Sequence, residues 1–131
     1  MNMNPVGWFE IYVQDMQRAK AFYETVLGYT LQPLSAPEGA GDNHPDMEMW
    51  AFPAQFGNPG AAGSLVRIPN CPSGAGGTLI YFACEDCAEQ ASRVVSNGGG
   101  IHREKISIGP YGFIALATDT EGNLFGLHSM K

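Results

Sequence analysis

The sequence predicts an α+β fold in which two β-α-β-β-β modules pack together around one cavity. A strand followed by a helix occurs twice, and three further strand candidates follow each helix. Both helices begin at an aspartate and end at a glycine 13 residues later, from Asp15 to Gly28 and from Asp86 to Gly99. Because one strand–helix pair cannot cover a sheet face, two such modules should pack against each other.

The first module begins with residues 6–13, whose β-branched and aromatic side chains predict a strand. Asp15 should cap the helix that follows, since its carboxylate can accept an orphan backbone N–H. Gly28 suits the left-handed position that ends a helix. One helix face is apolar and is expected to be buried, and it consists of Ala19, Phe22, Tyr23, Val26 and Leu27. Later strands are predicted near 29–35, 47–53 and 63–68.

The second module repeats this order. Residues 78–84 predict a strand, and Asp86 should cap a helix that stops in the glycine run 98–100. The apolar positions of this helix are Ala88, Ala91, Val94 and Val95. Further strands are predicted near 101–108, 112–119 and 123–129. We expect one domain over 1–131, made of module 1 (about 5–69), a linker (about 70–77) and module 2 (about 78–130).

Composition narrows the possible partners. Seven Lys and Arg against 13 Asp and Glu give a net charge of −6, which disfavours a nucleic-acid surface. No apolar run approaches the ~18–20 residues of a membrane span, and no signal peptide is visible. Three cysteines do not require a disulfide framework. We therefore expect a cytoplasmic protein with neither nucleic acid nor membrane as a partner.

Two segments resemble the vicinal oxygen chelate superfamily, which includes glyoxalase I, bleomycin resistance proteins, fosfomycin resistance enzymes and extradiol dioxygenases. Residues 9–28 resemble its first strand and its D-x-x-x-A-x-x-F-Y-x-x-x-L-G helix. Residues 119–123 resemble its D-P-E-G-N turn, with Thr120 in place of the usual proline. The resemblance implies an incomplete barrel-like mixed sheet around a cleft, and a homodimer.

Enzymes of this superfamily bind a divalent metal through His, Gln or Glu on four strands. By the resemblance, these positions fall on Trp8, Leu79, Gly126 and, through the internal repeat, near Ser64. Three of these residues cannot ligate a metal through a side chain, and serine is a poor ligand. We therefore expect no metal site and no cofactor, as in bleomycin resistance proteins.

Glu10 and His128 each lie two positions beyond an expected ligand, so strand alternation turns both toward the predicted cleft. They could anchor a ligand, act as an acid–base pair, form a structural ion pair or hydrogen bond, or ligate a metal with a third group such as Glu48 or His44. Aromatic residues near them suit an aromatic or cationic small molecule, but they could equally fill the core or a subunit interface. The polarity of residues 46–52 alone does not show which face of this strand points toward the cleft. The candidate ligand-binding residues are Trp8, Glu10, Tyr12, Glu48, Trp50, Tyr81 and His128.

The favoured function is binding of a small organic molecule in an aromatic, acidic cleft without metal. One alternative is a metal-dependent lyase, isomerase or dioxygenase-like enzyme that uses Glu10 and His128. Another is a non-catalytic interaction module whose cleft is filled by its own side chains. Cys84 and Cys87 form a C-x-x-C pair, but with only Cys71 remaining we expect ordinary structural cysteines.

Overall fold

The computed structural model describes residues 4–35, 46–55 and 57–131. These residues form two compact units. The first unit contains residues 8–35 and 46–78, and the second contains residues 4–7 and 79–131. In the part of the chain that is described, no helix is long and apolar enough to cross a membrane.

Among its described residues, the first unit contains one helix and the strands β2, β3, β4 and most of β1, which pair in the order β2-β3-β4-β1. β1 and β4 are parallel, and the other two pairs are antiparallel. The predicted strand near 29–35 is reduced to two residues, and the other predicted elements form close to their expected positions. The elements are β1 (Val6–Tyr12), α1 (Met16–Leu27), β2 (Gln32–Pro33), β3 (Glu48–Ala51) and β4 (Ala62–Arg67).

The ends of α1 are set by the two residues that the sequence indicated. The Asp15 carboxylate accepts the backbone N–H of Arg18 at 3.1 Å. Gly28 has a φ of 73°, and its N–H donates to the carbonyl of Glu24 at 3.0 Å. Both predicted caps are confirmed, because each depends only on neighbouring residues.

The predicted buried face of α1 is wrong in part. Ala19 and Tyr23 pack against a core built around Met16 and Leu65. Phe22 and Val26 are instead 58% and 62% exposed, and Leu27 is 47% exposed. Successive residues are about 100° apart around a helix, so the contact with the sheet includes Tyr23 and turns Phe22 away from it.

The second unit repeats the order, with strands paired as β5-β8-β7-β6. β5 and β8 are parallel, and the remaining pairs are antiparallel. Its core consists of Cys87, Ala91, Ala115 and Leu127, which lie where α2 packs on the sheet. The α+β class and the β-α-β-β-β order of both modules are confirmed. The elements are β5 (Thr78–Ala83), α2 (Cys87–Ser92), β6 (Gly100–Ser107), β7 (Phe113–Thr118) and β8 (Leu124–Ser129).

The second helix is shorter than its pattern predicts. The Asp86 carboxylate accepts the N–H of Ala88 at 3.0 Å, as expected for a cap. The α-helix then ends at Ser92, and a separate 3-10 turn spans Val95–Asn97. Val95 lies in this turn and is 65% exposed, whereas the sequence predicted it as an apolar position of the helix.

The segment predicted as a linker, residues 70–77, lies within the first unit and is held there by two hydrogen bonds. Gly77 accepts the backbone N–H of Tyr12 at 2.7 Å. The carbonyl of Cys71 accepts the side-chain amide N–H of Gln14 at 3.0 Å. Residues 70–77 contain neither helix nor strand, which agrees with their Gly- and Pro-rich composition.

Candidate functional site

The sheet of the first unit has one face covered by α1 and one face free of it. Ile11 and Leu65 are register partners, and both contribute to the core around α1. Glu10 and Ser64 are also register partners, one residue earlier on each strand. Because side chains alternate along a strand, Glu10 and Ser64 lie on the face opposite α1. We call this helix-free surface the Glu10 face.

Glu10 is held on this face by the two aromatic residues that flank it. Trp8 Nε1 donates to Glu10 Oε2 at 3.2 Å, and the Tyr12 hydroxyl donates to Oε1 at 2.8 Å. Burial raises the pKa of Glu10 above its usual value, and these two hydrogen bonds oppose the rise without cancelling it. The three candidates that the sequence placed on β1 therefore form one hydrogen-bonded group around a carboxyl that is easier to protonate than usual.

Ser64 is a second polar group on the Glu10 face. It is fully buried, and its hydroxyl has no hydrogen-bond partner among the described residues. A buried hydroxyl without a partner loses its hydration with no replacement. The sequence pattern indicated Ser64 only as a poor metal ligand, with no part in binding.

Glu48 and Trp50 lie on the opposite face from Glu10. Trp50 is the register partner of Leu65, and it packs against the core under α1. Trp50 Nε1 donates to Glu48 Oε2 at 3.0 Å, and Arg67 Nε contacts Glu48 Oε1 at 3.3 Å. Lys20 Nζ lies 3.4 Å from the centre of the Trp50 ring. The structure therefore does not bring this acidic and aromatic pair together with Glu10.

An open cavity of about 340 Å³ adjoins Glu48 at the start of α1. Its lining is polar apart from one methionine. The residues are Gln14, Asp15, Met16, Gln17, Glu48 and Arg67. No motif in the sequence pointed to this cavity, since its residues come from three separate segments.

In the second unit, the ring of Tyr81 lies directly over Gly126. The two residues are register partners on the parallel strands β5 and β8. A Cβ atom at position 126 would overlap Cδ1 and Cε1 of the Tyr81 ring. Tyr81 is buried, with 7% of its surface exposed. Only glycine leaves room for the ring in this place.

His128 lies two residues beyond Gly126, on the same face of β8. Its Nε2 atom is 2.6 Å from the backbone carbonyl oxygen of Tyr111. A carbonyl can only accept, so Nε2 carries the hydrogen and the neutral ring presents a lone pair at Nδ1. This contact is a structural hydrogen bond, which is one of the alternatives stated for His128, and it leaves Nδ1 available as an acceptor. His44, the other histidine considered in the sequence, lies outside the described residues.

The positions of Cys84 and Cys87, the C-x-x-C pair, are those of structural cysteines, since one is partly buried and the other fully buried. Cys87 is fully buried in the core of the second unit, and its N–H donates to Ser129 Oγ at 3.0 Å. Cys84 is partly buried, and burial is the main cause that raises the pKa of its thiol. A raised pKa leaves less of the reactive thiolate at neutral pH.

One family model matches part of this sequence, and several solved structures share its fold. The family model described as "Bleomycin resistance protein-like N-terminal" matches residues 6–41. Methylmalonyl-CoA epimerase of Streptomyces coelicolor, solved with 2-nitronate-propionyl-CoA, superposes with a TM-score of 0.64 at 17% identity. That match covers 98% of both chains. The epimerase of Mycobacterium tuberculosis gives 0.60 at 16% identity over 97% of this chain and 88% of its own.

Two curated sequences also match. They come from Mycobacterium tuberculosis and Mycobacterium bovis, carry the name "Putative glyoxylase CFP32", and are 27% identical over 120 residues. The alignment covers 92% of this chain but 42% of each relative, so the chain spans less than half the length of the curated relatives it matches. The family-model match over residues 6–41 and the curated sequences agree with the resemblance to the vicinal oxygen chelate superfamily, and the solved structures share the fold of this chain.

The positions at which the resemblance places metal ligands are occupied by residues with little capacity to bind a metal. Trp8 donates its only polar hydrogen to Glu10, and Leu79 is buried and apolar. Gly126 lies beneath the Tyr81 ring, so no ligand could project from it. Within the described ranges, no three His, Cys, Asp or Glu side chains gather closely enough to hold a metal ion. The donor set at these positions does not fit the superfamily's metal.

Proposed function

We propose that this protein, which resembles the vicinal oxygen chelate superfamily, binds a small cationic or aromatic organic molecule on the Glu10 face, with Glu10 as its anchor. One observation carries the proposal, namely the Glu10 carboxyl held between the Trp8 indole and the Tyr12 phenol. This face is free of α1, whereas the opposite face is packed against the helix.

The chemistry of these groups selects the ligand class. Both carboxylate oxygens of Glu10 accept a hydrogen bond from an aromatic side chain, so a negative charge would lie between two π systems. An ammonium or similar cation is attracted both to a carboxylate and to the face of an indole or phenol ring. An anionic ligand would meet Glu10 unfavourably. The net charge of −6 also disfavours an anionic ligand and favours a cationic one.

A second candidate function is acid–base catalysis by the same carboxyl. Its raised pKa is the observation that favours this role, because a general acid or base works best when its pKa approaches the working pH. In this case Glu10 would hold or move a proton at one of its carboxylate oxygens. The metal-dependent enzyme has less support, because Glu10 and Glu48 lie on opposite faces and cannot share a metal.

The test compares three probes of similar shape and different charge: benzyltrimethylammonium, benzyl alcohol and benzoate. We expect the wild-type chain to bind the cation most tightly, the alcohol more weakly, and benzoate least. Glu10→Gln should lower the affinity for the cation about tenfold while changing that for the alcohol little, since it removes one charged contact.

Glu48→Gln is a matched control, because Glu48 also accepts a tryptophan N–H two residues away but lies on the other face. It should bind the three probes as the wild type does. Equal affinity of wild type and Glu10→Gln for the cation, or equal losses in both variants, would contradict the proposed anchor. Turnover is tested separately, by seeking a Glu10-dependent chemical change in any compound that binds.

A further inference from the structure

Ser64 carries a buried hydroxyl that the described residues leave unpaired. The residue is fully buried, and its Oγ has no hydrogen-bond partner among them. Ser129 is buried to the same degree, yet it accepts the N–H of Cys87 and donates to the carbonyl of Lys131. Buried polar groups in proteins are nearly always hydrogen-bonded, and an exception calls for an explanation in function. The Ser64 hydroxyl is such an exception.

The Ser64 hydroxyl and the Glu10 carboxyl belong to neighbouring strands and share the Glu10 face. The two residues are register partners on the parallel strands β4 and β1. Trp8 and Tyr12 bond to the carboxyl from the positions before and after it on β1, which holds the carboxyl over its own strand. Neighbouring strands are about 5 Å apart. One small molecule can therefore span the distance between the two polar groups.

The other neighbours of Ser64 on this face are apolar. Ala51 on β3 is its register partner on the side away from Glu10. Ala62 and Val66 lie two residues before and after it on β4, and strand alternation places them on the same face. None of these three has a polar side-chain atom that could pair with the hydroxyl. Among the described residues the face offers it no partner, and a bound molecule can bring one.

We propose that Ser64 determines the specificity of the Glu10 face, and that the ligand is a 1,2-amino alcohol whose hydroxyl pairs with Ser64 Oγ. This inference rests on the proposed function, because Glu10 anchors the charged nitrogen. The two-carbon arm of such a cation carries its hydroxyl from the carboxyl toward the neighbouring strand. Ser64 has already lost its hydration, so the new hydrogen bond costs only the hydration of the ligand hydroxyl. Because Ser64 is covered in this structure, a neighbouring side chain moves aside on binding, as interface side chains commonly do.

The test compares benzyldimethyl(2-hydroxyethyl)ammonium with benzyldimethylpropylammonium, two cations that differ only in a terminal hydroxyl against a terminal methyl. Isothermal titration calorimetry of the full chain measures both dissociation constants, and their ratio is compared between variants. Comparing ratios cancels the greater hydrophobicity of the propyl arm. Ser64→Ala should shift the ratio about fivefold toward the propyl compound, which is the effect of one net hydrogen bond. Ser64→Cys has nearly the same size and a weaker hydrogen-bonding group, and it should shift the ratio in the same direction.

Ser92→Ala is the matched control, because Ser92 is an exposed serine on α2 of the second unit. It should keep the wild-type ratio, and circular dichroism melting checks that every variant is folded. An unchanged ratio in both Ser64 variants, or an equal shift in Ser92→Ala, would overturn the role of Ser64 and leave the Glu10 anchor intact. If neither cation bound the wild type, or if Glu10→Gln bound both as tightly, the anchor itself would be wrong, and this inference with it.

Discussion

Tyr81 and Gly126 are register partners on adjacent parallel strands, and the phenol ring occupies the space that a side chain at position 126 would need. Gly126→Ala should therefore lower the free energy of unfolding by about 1–3 kcal/mol, as overpacking in a core does. Urea denaturation measures the loss. In a Tyr81→Leu background the same substitution should be less destabilising, because the ring atoms that it would overlap are gone.

Gly7→Ala is the control for this substitution. Gly7 is also a strand glycine, but an added Cβ would lie 3.6 Å from the Cβ of Ala83, an ordinary contact. It should change the free energy of unfolding by no more than about 0.5 kcal/mol. If Gly126→Ala lowered the free energy of unfolding as little as Gly7→Ala does, this would contradict the close packing of the Tyr81 ring on Gly126.

Ser64 and Ser129 are both almost fully buried, yet they should respond oppositely to alanine. The Ser64 hydroxyl has no partner among the described residues, so Ser64→Ala should leave stability unchanged or raise it by up to about 1 kcal/mol. Ser129 Oγ accepts the Cys87 N–H and donates to the Lys131 carbonyl, both at 3.0 Å. Ser129→Ala should therefore cost about 1–3 kcal/mol. Chemical denaturation measures the free energy of unfolding of both variants. A large loss of stability in Ser64→Ala would contradict the prediction that its hydroxyl lacks a stabilising hydrogen bond.

Glu10 should make the stability of the protein depend on pH in a specific direction. Burial raises the folded-state pKa above the usual value near 4.5, so in this window the native state binds more protons than the unfolded chain. Stability contributed at Glu10 is therefore lost as pH rises from about 4.5 through the raised pKa. Glu10→Gln cannot ionise, and its stability relative to wild type should increase over the same window. A difference that stays flat or decreases with pH, measured by urea denaturation, would rule this out.

His128 should be a single tautomer when it is neutral. Its Nε2 lies 2.6 Å from the Tyr111 carbonyl oxygen, which requires a hydrogen on that nitrogen. Nitrogen-15 NMR of the imidazole ring above neutral pH should show hydrogen on Nε2 and a lone pair on Nδ1. His102, which is exposed on β6, is the comparison in the same spectrum. A hydrogen on Nδ1 of His128 would contradict the orientation described here.

Features set by neighbouring residues could be predicted from the sequence. The Asp15 and Gly28 caps need only a carboxylate and a residue that tolerates positive φ, so their positions followed directly. The same logic located Asp86 at the start of α2. The repeated order of strands and helices followed from these boundaries.

Features that depend on packing could not be predicted. In β3, Met49 and Ala51 form an apolar face, whereas Glu48 shares the other face with the aromatic Trp50, so only the position of α1 shows that Glu48 and Trp50 lie away from Glu10. Phe22 is more hydrophobic than Tyr23, yet the angle at which α1 meets the sheet packs Tyr23 against the core and leaves Phe22 exposed. The ring of Tyr81 over Gly126 depends on the register of β5 and β8, which no local pattern reveals.

The central claim is that a small molecule binds beside Trp8 on the Glu10 face. The chain has two tryptophans, so its proton–nitrogen NMR spectrum contains two indole N–H signals, which Trp8→Phe and Trp50→Phe variants assign. On titration with benzyltrimethylammonium, the Trp8 signal should shift and saturate, while that of Trp50, on the opposite face, should stay in place. A shift confined to Trp50, or no saturable shift at Trp8, would contradict the claim.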